Sequence, residues 1–321
     1  VNRKSIMALA DLATPMAIRV AATLGLGELS GTADELATAT GAHSPALRRL
    51  LDHLVTAGVF EAESGHYRPT ELGAQLTEFR PLLDINRAGG RAELAFVELL
   101  ETITTGAPAY PRRYGHDFWT DIDADPELRR SFDAQMTWRF TEQAPQIATR
   151  LDWSRFTRLL DLGGGDGMLL ERILLAHPGL RGRVLDVPAS ASAATRRFAA
   201  AGLGERADAV AGSFFDPLPT GFDAFLLSDI LHDWDDAAVR AILTRCREAA
   251  TPEATVVVIE PLRDVGTAMD LHMLMCFGGS ERTAAELTGL AADAGLELRR
   301  SGPVSDGRTA LEFGVSQAGP R

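Results

Sequence analysis

Residues 159–171 read LLDLGGGDGMLLE. An apolar run ends in Asp161 and Leu162, and Gly163, Gly164, Gly165 and Gly167 fill four of the next five places. An apolar helical pattern then begins at once. The stretch reads as a strand, a turn almost without side chains, and a first helical turn. A backbone lacking Cβ atoms lets another molecule come close to its N–H groups. In open α/β sheets, ligands bind at the carboxyl ends of the strands. This stretch therefore commits the chain to an α/β layer fold with a ligand at that turn.

The rest of the C-terminal half repeats the alternation. Strands are predicted at Arg158–Leu162, Arg183–Val187, Ala207–Ala211, Ala224–Leu227 and Thr255–Ile259. Helical patterns lie at 167–176, 191–201 and 236–249. A further helix, 283–294, precedes two late strands near 296–300 and 309–315. Strand and helix in alternation give a mostly parallel sheet covered on both faces. The expected fold class is a doubly wound, Rossmann-like α/β domain over 151–321.

The glycine spacing narrows the ligand. A dinucleotide fingerprint needs G-x-G-x-x-G, and counting from Gly163 puts Met168 at the last glycine place. A phosphate-binding P-loop needs G-K-[ST], which is absent here. What remains is D-x-G-x-G-x-G, which suits a ligand with an amino-acid tail and an adenosine but no pyrophosphate. S-adenosylmethionine is such a ligand. Asp186 ends the second strand in RVLDVP, in place to accept hydrogen bonds from both ribose hydroxyls. Beyond the third strand, Ser213 and Phe214 offer an adenine one polar contact and one ring face.

The N-terminal 85 residues read differently. Thr32–Thr38 is a short capped helix. From Ser44 as cap, Leu47, Leu50, Leu51, Leu54 and Val55 mark one helical face that Gly58 stops. Val59–Phe60 and Tyr67–Arg68 then flank a Ser64–Gly65 turn. Helix, turn, helix, hairpin is a winged-helix pattern, which often means DNA binding. Residues 1–85, however, carry seven Lys/Arg against ten Asp/Glu, and the whole chain has a net charge of −12. A nucleic-acid reader should be basic, so a scaffold or dimerisation role is expected and no nucleic-acid partner.

Between them, 86–150 is a helical linker and cavity wall. Its aromatic and Met residues are mostly core, but Trp119, Met136 and Phe140 are expected to face an apolar acceptor, with Met273 and Phe277 further along. Cys246 and Cys276 lie in apolar helical contexts and read as buried thiols. No Cys/His set has metal-ligand spacing, so no metal is expected. Asp11, Arg19 and Glu28 interrupt the apolar stretch 5–29, which argues against a membrane span, and no signal peptide is evident. A cytoplasmic location is expected. The chain opens on Val1, implying a natural start further upstream.

Taken together, LLDLGGGDG, VLDVP, GSFFDPLP, ILHDWDD, VIEPL and GGSERTAAEL resemble the class I S-adenosylmethionine-dependent O-methyltransferases of the plant caffeate and bacterial antibiotic-tailoring type. The resemblance covers nearly the whole chain. It implies His232 as general base, supported by Glu260 and Glu281. It implies Trp234 near the adenosine, and Ser213 and Phe214 at the adenine, where an acid often replaces the serine. Ser228 stands where plant members often have Lys. It also implies a homodimer through the N-terminal domain, S-adenosylhomocysteine as coproduct, and an aromatic hydroxylated acceptor such as a polyketide. Arg80–Asp84 and Asp264–Ala268 are short for the family.

A histidine with its ordinary pKa of about 6.5 would be largely free to accept a proton at neutral pH. Each catalytic residue has a plainer reading as well. His232 could brace the helix that follows it, and Glu260 and Glu281 could be ordinary polar element ends. Two rival functions stay open at this point. One is a methyltransferase fold that performs a non-methylating tailoring reaction. The other is a winged-helix regulator that senses a metabolite.

Overall fold

The computed structural model describes residues 5–263 and 268–316. By contacts the chain falls into two units. The first comprises Val1–Leu94 and Ile122–Gln135, the second Ala95–Asp121 and Met136–Arg321, so the intermediate stretch contributes to both.

In the first unit, α1 (Ala13–Thr23) is followed by the short strand β1 (Gly31–Thr32), α2 (Ala33–Thr40) and α3 (Ser44–Thr56). A hairpin of β2 (Phe60–Glu63) and β3 (His66–Pro69) completes a small antiparallel sheet with β1. Helix α2 starts in a capping box: the Thr32 hydroxyl accepts the Glu35 N–H while Glu35 reaches back to the Thr32 N–H. The cap of α3 departs from expectation. His43 is the N-cap and makes no side-chain capping bond, because the Ser44 hydroxyl donates instead to Asp34 on α2. Leu47, Leu51 and Leu54 of α3 pack with Leu36, Phe60 and Tyr67 into the core of this unit. The apolar window Ile6–Thr23, with a mean hydropathy of 1.4, is not one continuous helix. It breaks at Ala10–Leu12, where the Asp11 carboxylate accepts the N–H groups of Ala13 and Thr14.

The second unit is built on a seven-stranded sheet in the order β6-β5-β4-β7-β8-β10-β9. These strands are β4 (Arg158–Leu162), β5 (Arg181–Asp186), β6 (Ala207–Ala211), β7 (Ala224–Ser228), β8 (Thr255–Glu260), β9 (Leu296–Ser305) and β10 (Arg308–Val315). The first five are parallel neighbours, and β10 runs antiparallel to both β8 and β9. Before β4 in sequence come, among others, α4 (Phe118–Ala124) and α5 (Pro126–Phe140), each shared with the first unit. Between and after the strands run α6 (Met168–Ala176), α7 (Pro188–Ala200), α8 (Asp236–Ala249), α9 (Ala268–Phe277) and α10 (Ala284–Asp293).

Period-two alternation explains why both faces are covered. Leu159, Val184, Leu226, Val257 and Ile259 point to the layer that holds Leu170, Ile173 and Leu174 of α6 and Phe198 of α7. Their neighbours Leu160, Leu185, Phe225, Leu227, Val256 and Val258 point to the layer of α8 and α10, with Ile242, Leu243 and Leu290. Cys246 and Cys276 are both buried thiols outside any disulfide.

Leu160 is fully buried in β4, an interior strand of the sheet. Leu160→Ala should therefore cost about 2–5 kcal/mol of stability, read as a lowered midpoint in urea unfolding with an unchanged slope. A loss below about 1 kcal/mol would show that this layer is not close-packed.

Candidate active site

Four neighbouring strands, β5, β4, β7 and β8, end at one edge of the sheet and each delivers one part of the site. From β4 comes the glycine turn. Its Gly163 N–H donates to Leu185 O at 2.9 Å, continuing the parallel pairing past the strand end. Asp186, at the end of β5, then clamps the turn. Its Oδ2 accepts the Gly165 N–H at 2.8 Å and its Oδ1 the Val187 N–H at 2.7 Å. Gly167 has φ of +80°, and a Cβ there would lie 2.6 Å from the Phe198 ring, so close helix-to-helix packing and left-handed backbone both demand glycine. Asp166 fixes the outer side of the turn, accepting the Thr137 hydroxyl at 2.7 Å and pairing with Arg197.

Among the described residues, Asp161 Oδ2 and Ser228 Oγ are buried near these strand ends without a hydrogen-bond partner. Burial, and then the charge of Asp186, push the Asp161 carboxyl up to about 7. A buried polar atom without a partner costs free energy. A bound molecule carrying cationic or hydrogen-bonding groups relieves both. The bare turn, Asp186 and these orphaned atoms are a donor and acceptor set that fits an adenosyl amino-acid ligand.

From β7 comes the turn that carries His232. It begins at Asp229, whose φ of +53° is left-handed, a conformation costing a non-glycine residue about 1 kcal/mol. Asp tolerates it better than most residues, and here its side chain is held as well. Arg308 of β10 grips the Asp229 carboxylate through both Nε and a terminal nitrogen. Burial opposes the Asp229 charge, but Arg308 holds the carboxyl below the usual range. Arg308 also donates to Gln143 and lies 5.1 Å from the centre of the Phe140 ring.

Glu260, at the end of β8, organises the next three residues. Its Oε1 accepts the N–H groups of Ile230 at 3.1 Å and Leu231 at 2.7 Å. Its Oε2 lies 3.0 Å from His232 Nδ1, an ion-pair distance without hydrogen-bond alignment. On the other ring nitrogen, Asp233 Oδ1 is 3.5 Å from His232 Nε2. Burial opposes charge on the imidazole, but Glu260 foremost, then Asp233, push its pKa up to about 9. That direction favours the imidazolium in the ligand-free protein, whereas a largely free base was expected. Asp233 itself is pushed up to about 7 by burial.

The GGSERT segment holds this turn from the far side. Arg282 is buried and donates to Leu231 O at 2.9 Å, to Trp234 O at 2.7 Å and to Asp236 Oδ1 at 2.9 Å. Gly279 lies against the backbone of the turn, where a Cβ would come 2.1 Å from His232 O. Glu281 is only 3% exposed, and burial raises its carboxyl above the usual range. It feels the charge of His232, but among the described residues the carboxylates within ion-pair reach of His232 are Glu260 and Asp233.

Aromatic rings join the two sides of the site. Phe214 and Phe215 meet Trp234 edge to face at 5.9 and 4.9 Å. Trp234 stacks on Trp119 at 6.3 Å and 13°, and Trp119 stacks on Phe277 at 5.5 Å and 24°. Trp234 thus lies between the expected adenine residues and the expected acceptor wall. The Ser213 hydroxyl accepts the Phe215 N–H at 3.2 Å. Met273 is buried one helical turn before Phe277, and Met136 lies one turn before Phe140. The expected acceptor residues therefore form two groups, one around Trp119 and Phe277 and one around Phe140 and Arg308. Of the two stretches that are short for the family, Arg80–Leu83 is a helical turn, and 264–267 lie outside the described residues.

Sequence reasoning missed Asp229, Arg308, Arg282, Gly279 and the pairing of Asp233 with His232. Gly279 and Arg282 were visible inside GGSERT as residue types without an assigned job. Arg308 carried no signal, because its partner is 79 positions away. Gly279→Ala should displace the His232 turn, since backbone atoms and not a flexible side chain stand in the way. Turnover should fall at least roughly tenfold, in line with the sensitivity of catalysis to small misplacements, while urea unfolding still shows a cooperative fold. Wild-type turnover in that variant would mean that the turn is not held by this contact.

Residues 96–297 match the family model of the O-methyltransferase domain, and residues 7–78 match that of the O-methyltransferase dimerisation domain. The chain is 50% identical over 311 residues to 2,7-dihydroxy-5-methyl-1-naphthoate 7-O-methyltransferase of Streptomyces carzinostaticus, covering 93% of this chain and 94% of that one. It is 41% identical over 328 residues to aclacinomycin 10-hydroxylase RdmB of Streptomyces purpurascens, covering 96% and 87%. Among solved structures, it is similar to an O-methyltransferase, NcsB1, from neocarzinostatin biosynthesis, in complex with S-adenosylmethionine and 2-hydroxy-5-methyl naphthoic acid. That likeness has a TM-score of 0.95 at 48% identity and covers 98% of this chain and 100% of that one. The two family matches, with 50% identity to a relative over nearly the whole chain, place this chain in the O-methyltransferase family.

Proposed function

We propose that this protein transfers a methyl group from S-adenosylmethionine to a hydroxyl of a fused aromatic acceptor, with His232 as the group that takes the hydroxyl proton. The observation that carries the reading is the placement of His232, backed by Glu260, on the same sheet edge as the glycine turn and Asp186. Support for the donor comes from the orphaned Asp161 and Ser228 atoms and from the S-adenosylmethionine bound in the similar NcsB1 structure. Support for the acceptor class comes from the naphthoate in the name of the Streptomyces carzinostaticus relative and from the naphthoic acid bound in the NcsB1 structure. The residues that would hold the donor are Gly163, Gly165, Asp186, Ser213, Phe214, Ser228 and Trp234. When bound, it supplies a methyl group already activated on a positive sulfur. The dimerisation domain at 7–78 supports a homodimer.

The raised pKa of His232 changes how the proton step works. A phenol has a pKa of about 10. Against a histidine at about 6.5, proton transfer is uphill by about 5 kcal/mol. Against His232 at about 9, it is nearly balanced. Glu260 thus makes the imidazole a stronger base, and its conjugate imidazolium stays beside the oxygen to stabilise the phenolate. The counter-effect is that only a small fraction of the imidazole is free at pH 7. General-base help of this kind is worth about 10²–10⁴ in rate, whereas holding the reacting atoms in position contributes about 7–11 kcal/mol. The aromatic stack from Trp234 through Trp119 to Phe277 suits the positioning of a flat ring.

The hydroxylase relative favours a second reading, in which the same donor-binding fold performs a tailoring reaction without methyl transfer. Incubation with methyl-labelled S-adenosylmethionine and a panel of hydroxynaphthoic acids separates the two. Label in an ether product supports methyl transfer, and a product heavier by one oxygen without label supports the rival.

Acceptor kcat/KM should rise with pH as His232 loses its proton. Glu260→Gln removes the charge that holds the imidazolium, so that limb should move toward lower pH by about a unit or more, with a lower plateau. A limb that stays in place would remove His232 from the proton step. Asp186→Ala should weaken donor binding by roughly tenfold or more, through loss of hydrogen bonds to a charged group, as read by calorimetry. Unchanged affinity would remove the ribose role.

A further inference from the structure

Among the described residues, Arg139 is a cation beside the site that has no hydrogen bond or ion pair. Arg139 lies in the last turn of α5, three residues after Met136 and one before Phe140. Residues at i, i+3 and i+4 share a helix face, so Met136, Arg139 and Phe140 form one surface. That end of the helix is tied to the site at two points. Thr137 donates to Asp166 of the glycine turn at 2.7 Å, and the Phe140 ring lies under Arg308, which grips Asp229. Arg139 is half-buried, yet it makes no hydrogen bond or ion pair with any described residue. Its positive charge reaches the carboxylates of Asp229 and Asp233, from beyond ion-pair distance.

The other charges nearby are matched. Arg308 is spent on Asp229, Arg282 on Asp236 and three carbonyls, and the imidazolium of His232 on Glu260. The rest of the site is acidic: Asp233, beside the imidazole, and Glu281 are both pushed above the usual carboxylate range. An anionic acceptor would be repelled from such a site unless a cation met its charge. A neutral phenol would have no use for one.

We propose that Arg139 is the specificity residue of the acceptor site, pairing with a carboxylate on the aromatic ring and selecting hydroxylated aromatic acids over the corresponding neutral phenols. The inference rests on the aromatic acceptor reading above and adds the charge of the acceptor and the residue that reads it. A guanidinium suits the task, since its planar fork matches a carboxylate with two parallel hydrogen bonds. The apolar side chains of Met136 and Phe140 on either side limit hydration and strengthen the pair.

The test is calorimetric titration of the full-length protein, saturated with S-adenosylhomocysteine, with 3-hydroxy-2-naphthoic acid and with 2-naphthol, which differ by the carboxylate alone. The wild type should bind the acid at least roughly tenfold more tightly. Arg139→Gln should weaken the acid by roughly 10–100-fold and leave 2-naphthol within about twofold. Arg139→Lys should recover part of the loss. Equal weakening of both compounds, or of neither, overturns the proposal, as does a wild type that binds both alike. Binding of 2-naphthol to each variant serves as the control that the site has folded. If the acid binds through Arg139 but neither compound is methylated, the proposed methyl transfer fails and the role of Arg139 stands.

Discussion

The site depends on how the two oxygens of Glu260 are divided. One accepts two backbone N–H groups of the turn after β7, and the other faces the imidazole of that same turn. A single buried carboxylate therefore sets both where His232 stands and how tightly it holds a proton. Nothing in an isolated Leu231–Asp233 turn would fix a histidine, since three residues of tight helix have few bonds of their own. The anchor comes from the neighbouring strand. That is why a parallel sheet, with its strand ends side by side, is the right platform for this chemistry.

Around that anchor the protein applies one device repeatedly: a charged side chain from a distant segment holds a backbone turn at the strand ends. Asp186 holds the glycine turn, Arg308 holds the left-handed Asp229, and Arg282 holds the carbonyls of Leu231 and Trp234. Buried ion pairs of this kind add little net stability, because desolvation offsets attraction. What they supply is definition. Each turn has one position because its partner accepts no other. Gly279 belongs to the same scheme, since it lets the GGSERT backbone lie directly on His232 O.

The sheet and most of its strands were legible in the sequence because both faces are buried. Each of β4 to β8 is a short run next to a helical pattern on at least one side, and Leu159 and Leu160 are buried on opposite faces. The ligand end was legible where a motif is local, as at Gly163–Gly167 and His232–Trp234. Two kinds of feature were not. Ser44 looked like a cap, but a hydroxyl can serve either the backbone or a neighbour, and Asp34 on the adjacent helix won. The protonation of His232 could not be read, because a pKa belongs to the three-dimensional set of charges around it. Glu260 was in view as a partner, but Asp233, adjacent in sequence, was not foreseen on the second ring nitrogen.

Charge placement in the site has a clear division of labour. Glu260 and Asp233 make the imidazole hold its proton more tightly, while the charge of Arg139 reaches Asp229 and Asp233 from beyond ion-pair distance. The central claim is that Glu260 keeps His232 protonated through neutral pH and thereby matches it to a phenol. The most direct measurement is NMR titration of the His232 ring, with ¹⁵N-labelled histidine, in the ligand-free protein. A midpoint near 9 is predicted. A midpoint at or below the ordinary value of about 6.5 would contradict the account.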